Sequence, residues 1–314
     1  MLQTRGIHHI TAMVADVQRT MDFYSRVLGL RLVKKTVNFD SPDVYHLYFG
    51  NESGEPGTVM TFFPSEHYMK GQIGRGQVGV ITYIIPSDSQ EFRHNRLSHL
   101  DITYTLTKRF GQDYLTFHDP DGIQIEMIAR NQLSIGEWEH KGVPKNHAIL
   151  GFDGVTLYPV LPHKTAEVLE HILGMSCVGQ EGAYLRFQSS SGFANTIDIY
   201  LEPRVRGLTG AGTVHHIAWR ASDEAEQIAW HEKLQKEGYY PTEILNRSYF
   251  KAIYFQHEGG ILFEIATDEP GFIMDEPLHS LGEQLKLPVW LEDRREELEN
   301  TLPELNPIER REQS

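Results

Sequence analysis

The chain repeats itself, and nothing else in it limits the fold as tightly. The stretch IHHITAMVADVQRTMDFYSRVLGL (7–30) aligns without a gap on FDGVTLYPVLPHKTAEVLEHILGM (152–175), and each reads strand, turn, amphipathic helix. In the first, Val17, Met21, Tyr24 and Leu28 recur at helical spacing ahead of Gly29. In the second, Pro162 suits a first helical turn, Ala166, Leu169 and Leu173 line one face, and Gly174 ends it. A second pair follows, VGVITYIIPSD (78–88) and VHHIAWRASDE (214–224), each leading to a Ser-capped helical stretch and a late hairpin. The hairpins FHDPDGIQIEMIA and FQHEGGILFEIAT keep one spacing from turn glycine to glutamate, Gly122 to Glu126 and Gly260 to Glu264.

The pattern predicts an α+β fold of four βαβββ modules, at about 6–63, 78–130, 150–202 and 213–267, paired into two half-open barrel domains. Along the chain, modules 1 and 2 make an N-terminal domain (1–140) that supplies one candidate metal ligand, and modules 3 and 4 make a C-terminal domain (148–270) that supplies two. The turn-rich NQLSIGEWEHKGVPKNH (131–147) reads as the linker. Residues 271–314 are Pro-punctuated, charged and partly helical, and read as a surface tail or edge cover, with a lid near a site as the alternative.

Composition narrows the chemistry. With 43 acidic against 29 basic residues the formal charge is −14, which argues against a phosphate-backbone partner. No run approaches the roughly 18–20 apolar residues of a membrane span, and the N-terminus has no apolar signal core, so the expectation is a cytoplasmic protein with neither nucleic-acid nor membrane partners. Homo-oligomerisation stays open. Cys177 is the only cysteine, so a metal here must be held by histidine and carboxylate.

Comparing the copies shows where. His9 aligns with Gly154 and His216 with Ile81, whereas the hairpin carboxylate is present in both even copies as Glu126 and Glu264. One complete set results: His9, His216 and Glu264. Two imidazoles and one carboxylate with open coordination positions suit non-haem Fe(II), and also accept Mn(II) or Zn(II). One site requires module 1 to pack beside module 4, leaving modules 2 and 3 as a metal-free barrel in which Glu126 is a hydrogen-bonded remnant. Strand alternation turns His8 and His215 away from the ligand face. They then serve as packing or polar contacts outside the barrel, or reach the pocket as proton acceptors where a twist or bulge intervenes.

The fourfold array, the HHIT opening, the VHHIAW strand and the G-x-x-x-E hairpins resemble the vicinal oxygen chelate superfamily. Over residues 5–270 the chain is similar to its ring-cleaving dioxygenases that act on hydroquinones, through the two histidine doublets, Thr11 and the stretch NRSYFKAIYF. The resemblance implies that His9, His216 and Glu264 bind Fe(II), that Thr11, His8, His215, Arg247 and Tyr254 surround the substrate, and that a small hydroquinone- or catechol-type ring reacts with O2. A permanently charged Arg247 suits an anionic oxygen, and Tyr254 can donate a hydrogen bond.

Two relatives within that superfamily are the rival readings. A glyoxalase-like isomerase normally uses a fourth ligand, a Glu late in the first copy, where this chain has GTVMTFFP. A thiol transferase shares the two-His, one-Glu set but resembles a much shorter chain. The remaining conspicuous residues read plainly: Cys177 as a buried small apolar residue, His118 as solvent-facing, and His46, His67 and His257 as residues near turns or strand ends without consistent partners. The Gly-rich KGQIGRGQVG (70–79) reads as a connector.

Overall fold

The computed structural model describes residues 2–131, 138–190 and 192–306. The four modules follow one another as expected. Module 1 comprises β1 (Ile7–Val14), α1 (Val17–Asp22), β2 (Arg31–Asn38), β3 (Ser41–Gly50) and β4 (Val59–Pro64); module 2 comprises β5 (Gln77–Pro86), α2 (Gln90–His99), β6 (Thr105–Arg109), β7 (Gln112–His118) and β8 (Gln124–Arg130). Module 3 comprises β9 (Gly151–Tyr158), α3 (Pro162–Glu167), β10 (Ser176–Glu181), β11 (Tyr184–Gln188) and β12 (Thr196–Tyr200). Module 4 comprises β13 (Thr213–Ala221), α4 (Glu224–Lys236), β14 (Leu245–Asn246), β15 (Lys251–Gln256) and β16 (Leu262–Thr267).

Local chemistry explains the helices. The Asp16 carboxylate caps α1 by accepting from the Arg19 N–H, and Pro162 occupies the first turn of α3. Both helices run on into a π-helical turn, Phe23–Val27 and Val168–Ile172, so the gapless sequence match carries through to an irregularity. They stop at Gly29 (φ +81°) and Gly174 (φ +71°), which adopt the left-handed conformation that ends such helices. The serine caps expected of α2 and α4 are not formed. The Ser89 hydroxyl engages His147 Nδ1 at 2.9 Å instead, and Asp223 caps α4 because its carboxylate reaches the Glu226 N–H.

The strands form two eight-stranded sheets, ordered β14-β15-β16-β13-β1-β4-β3-β2 and β10-β11-β12-β9-β5-β8-β7-β6. The first joins module 1 to module 4 through antiparallel β1 and β13, and the second joins module 2 to module 3 through β5 and β9. Each curled sheet thus takes one module from each half of the sequence. The crossovers between sheets run side by side, with bridges Lys70–Ala211, Gln72–Leu208 and Arg75–Arg206. Gly74 sits where any Cβ would strike the Val205 carbonyl, so the Gly-rich connector permits this crossing.

Residues 132–137 of the expected linker lie outside the described residues. The tail packs Phe272, Leu281, Leu291, Leu298 and Leu302 into buried positions, through short 3-10 turns and α5 (Arg295–Thr301). Cys177 is exposed rather than buried, because β10 is an edge strand whose side chains face mainly solvent. His118 is exposed, as expected. Among the described residues no helix is long and apolar enough to cross a membrane.

Candidate metal centre

Three adjacent strands of the first sheet bring the candidate ligands together. β1 sets His9 opposite Ala218 and Thr11 opposite His216, and the parallel β13–β16 ladder sets Ala218 beside Glu264. His9 Nε2 lies 3.3 Å from His216 Nε2 and 3.4 Å from Glu264 Oε2, and His216 Nε2 lies 2.9 Å from the same oxygen. Donors held about 2.1 Å from one ion at right angles stand about 3 Å apart, so this triangle fits one face of an octahedron.

The surroundings of the carboxylate support the same reading. Glu264 is fully buried, and neither of its oxygens has a hydrogen-bond partner among the described residues. A bare carboxylate in such a place is costly unless a cation meets it. Burial opposes its charge, but the His9 and His216 imidazoles hold it well below the usual carboxylate range. His9, His216 and Glu264 are the group of three ligand side chains among the described residues that could hold a metal ion.

The second histidine of each doublet is placed by a bulge. The β1–β13 register shifts at His8 and again at His215, so strict alternation fails at both residues. His8 Nδ1 lies 2.9 Å from His9 Nδ1, and His215 Nδ1 lies 2.8 Å from His216 Nδ1. An imidazole that ligates through Nε2 keeps its proton on Nδ1. With an ion on their Nε2 atoms, His9 and His216 would donate and His8 and His215 would accept, which would fix the ligand rings. Burial, followed by the neighbouring imidazole, holds both acceptors neutral: His8 well below its ordinary pKa, His215 down to about 4. In that tautomer His215 would present an Nε2–H donor.

The second sheet is an internal comparison. Its β5–β9 register shifts at Gly79 and Asp153, the counterparts of His215 and His8. Thr82 stands beside Glu126 as Ala218 stands beside Glu264. This register makes Val80 the counterpart of His216, as the gapless match of 78–88 on 214–224 also does when counted residue by residue, so the pairing of His216 with Ile81 is corrected by one position. Gly154 replaces His9 where a Cβ would strike the Thr196 carbonyl. Glu126 is indeed hydrogen-bonded: it takes bonds from Arg109 at 3.0 and 2.6 Å and from Thr82 at 3.2 Å.

A cavity of about 320 Å³ adjoins the cluster, lined by His9 and His216, by His215, Arg247 and Tyr254, and by Phe63 and Phe250 among others. The Phe250 ring packs on His9 with centroids 4.9 Å apart. Arg247 bonds Asp40 at 2.8 Å and lies 5.5 Å from the Tyr254 ring, while its Nε has no hydrogen-bond partner among the described residues. Burial works against that guanidinium, but Asp40 and Tyr254 keep its pKa raised. Tyr254 stands opposite Glu264 in the β15–β16 ladder, and burial together with Glu264 pushes its hydroxyl well above the ordinary value, so it stays a donor.

Not every expected residue reaches the cavity. Thr11 is fully buried behind it, 2.7 Å from the Thr61 hydroxyl, and His8 is buried against Phe250. Conversely, His46 was expected near a turn without partners, yet it lies on the inner face of β3, with Nε2 2.8 Å from Thr61 Oγ1 and Nδ1 2.8 Å from the Tyr48 hydroxyl. Both His46 and Tyr48 line the cavity. Their period-two spacing was the available signal.

The repeats, more than the cluster, decide the class. The pattern of the Glyoxalase/Bleomycin resistance protein/Dioxygenase superfamily matches residues 6–127 and 151–265, and the chain belongs to that superfamily. It is 49% identical over 300 residues, 96% of either chain, to the protein of Bacillus subtilis (strain 168) provisionally named ring-cleaving dioxygenase MhqO. It is 34% identical over 310 residues, again 96% of either chain, to the chlorohydroquinone/hydroquinone 1,2-dioxygenase of Sphingobium indicum. A crystal structure of a provisionally named dioxygenase from Bacillus subtilis subsp. subtilis str. 168 matches with a TM-score of 0.96 at 48% identity, covering 98% of this chain and 99% of that one.

Proposed function

We propose that this chain is an Fe(II)-dependent ring-cleaving dioxygenase that adds O2 to hydroquinone-type aromatic rings. The observation that carries the reading is a buried two-histidine, one-carboxylate cluster, its carboxylate oxygens unpaired, beside a cavity walled by aromatic rings and hydrogen-bond donors. End-to-end similarity to a hydroquinone dioxygenase supports the substrate class.

Fe(II) held by His9, His216 and Glu264 would give ring electrons a path to triplet O2, which otherwise meets a spin barrier with a closed-shell molecule. The chain's own residues do the rest. Phe63 and Phe250 offer apolar faces to a ring. The unpartnered Arg247 Nε–H can hold an anionic ring oxygen, and the Tyr254 hydroxyl and the His215 Nε2–H can donate to oxygens that gain charge. Bonding from His9 and His216 makes His215 and His8 poor proton acceptors, since taking a proton at Nδ1 would break the contact that orients each ligand.

A four-ligand isomerase site lacks its fourth carboxylate here. The β4 residues in register with His9, Thr11 and Met13 are Val59, Thr61 and Phe63. The test is anaerobic loading with Fe(II), then oxygen uptake with hydroquinones, catechols and a methylglyoxal–thiol adduct. Uptake with a hydroquinone is expected, and turnover of the adduct without oxygen consumption would replace this reading with the isomerase.

A further inference from the structure

The first sheet ends at β2 on one side and β14 on the other, so its barrel has an open seam. Near the cavity the seam is spanned by the Asp40–Arg247 ion pair, which ties the β2–β3 turn to the residue following β14. Farther along, the tail fills it. The Gly271 N–H donates to the Tyr249 carbonyl at 2.9 Å, and the Lys286 N–H donates to the Lys35 carbonyl at 2.9 Å, so residues 271–286 reach from one side of the seam to the other. Between these anchors Phe272 packs on Tyr48 and Tyr249, with centroids 5.0 and 5.1 Å apart.

At the centre of the crossing lies Lys34, a lysine with no exposed side-chain surface. Its ammonium bonds both Asp275 and the buried Glu276, and stands 4.9 Å from the centre of the Tyr249 ring. The Tyr249 hydroxyl closes the group by donating to Asp275 at 3.0 Å. Lys34 pairs in register with Tyr48, which lines the cavity.

A buried ammonium–carboxylate group is a poor source of net stability, because desolvation offsets most of the attraction. It does discriminate between placements, since any shift of the tail leaves a buried charge without its partner. We propose that Lys34, through Asp275 and Glu276, is a positioning residue that clamps residues 271–286 across the seam of the metal-bearing barrel. The tail then closes this stretch of the seam to solvent, away from the Asp40–Arg247 pair beside the cavity. The inference rests on the metal-centre reading and is independent of the reaction assigned to it.

The test uses the full chain loaded with Mn(II), as parent, Lys34→Met and Glu276→Gln. Hydrogen exchange is followed over residues 271–286 and over the second sheet as reference, alongside the rate of Mn(II) removal by EDTA. Both variants are expected to speed exchange in 271–286 and Mn(II) removal by about tenfold or more, with the second sheet within about twofold of the parent. The clamp is overturned if either change occurs without the other, if both stay within about twofold, or if exchange rises evenly over both sheets. Should Lys34→Met fail to fold, the near-isosteric Glu276→Gln decides alone. Where the parent consumes oxygen with hydroquinone, KM should rise more than kcat falls, and a larger loss in kcat would overturn the positioning role. A parent without oxygen uptake refutes the oxygenase reading only, and the exchange and removal measurements still stand.

Discussion

Glu126 and Glu264 hold matching register positions in the two sheets, beside Thr82 and Ala218, yet Glu126 is fully paired and Glu264 is not. Arg109 provides the compensating cation in the second sheet. In the first, two imidazoles face the carboxylate and a cation is needed. One register position thus holds a structural ion pair in one barrel and a candidate metal ligand in the other.

Exchanging each glutamate for glutamine should separate these roles. Glu264→Gln removes the buried charge that the His9 and His216 imidazoles favour, so the metal-free chain should unfold at a somewhat lower temperature than the parent. Mn(II) should then no longer raise the midpoint, whereas it stabilises the parent by about 2.7 kcal/mol at a hundredfold excess over Kd. Glu126→Gln should cost about 1–3 kcal/mol by removing one of the two carboxylates on the buried Arg109, which keeps Asp198 at 2.9 Å, while leaving the Mn(II) effect intact. Scanning calorimetry with and without Mn(II) distinguishes the two, and equal behaviour would contradict the assignment.

His8 and His215 should act on the ion through the ligands they orient. His8→Phe and His215→Phe are expected to weaken Mn(II) binding by about 10–100-fold without removing a ligand. Competition against a fluorescent chelator measures this, and unchanged affinity would show that the 2.9 and 2.8 Å contacts do not hold the ligand rings.

Arg247→Ala should slow ring cleavage by about a hundredfold, while Mn(II) affinity changes by no more than about threefold, because the guanidinium faces the cavity and not the ion. Oxygen-uptake kinetics beside metal titration test the division of labour. Comparable losses in both would refute it.

The metal-free chain should lose stability on mild acidification. Burial is the chief cause that lowers the pKa of His8, His46 and His215 in the folded state, to about 4 for His215. The unfolded chain therefore takes up these protons first. Their contribution is complete above the unfolded value of about 6.5 and is lost as pH falls from there toward the folded values. Glu264, held low, adds a loss only below about 4.5. Urea unfolding at pH 7.5, 6 and 5 should show a steady decline, and a flat profile over that range would count against neutral buried imidazoles.

The strands of all four modules were readable before any coordinates, and so was the trio of candidate ligands that the fold brings together. A strand beginning Ile7-His8-His9 and one carrying His215-His216 are local patterns, as is the distance from Gly260 to Glu264. Residues whose roles depend on offsets between strands were not readable. The bulges at His8 and His215 defeated strict alternation. His46 looked like a loop residue because its partner Thr61 becomes a neighbour only once β3 pairs with β4, although the period-two link to Tyr48 was local.

What the amino-acid order determined by itself is therefore periodic and short-range: module type, module count, helix ends, and which side chains can bind a cation. The fold alone decided how β1 meets β13, where each ladder slips, and that Lys34 meets Asp275 and Glu276 across the barrel seam. The reason is physical. Periodicity and capping are satisfied within a few residues of chain, whereas register and seam closure are settled by the summed packing and desolvation of segments far apart in sequence.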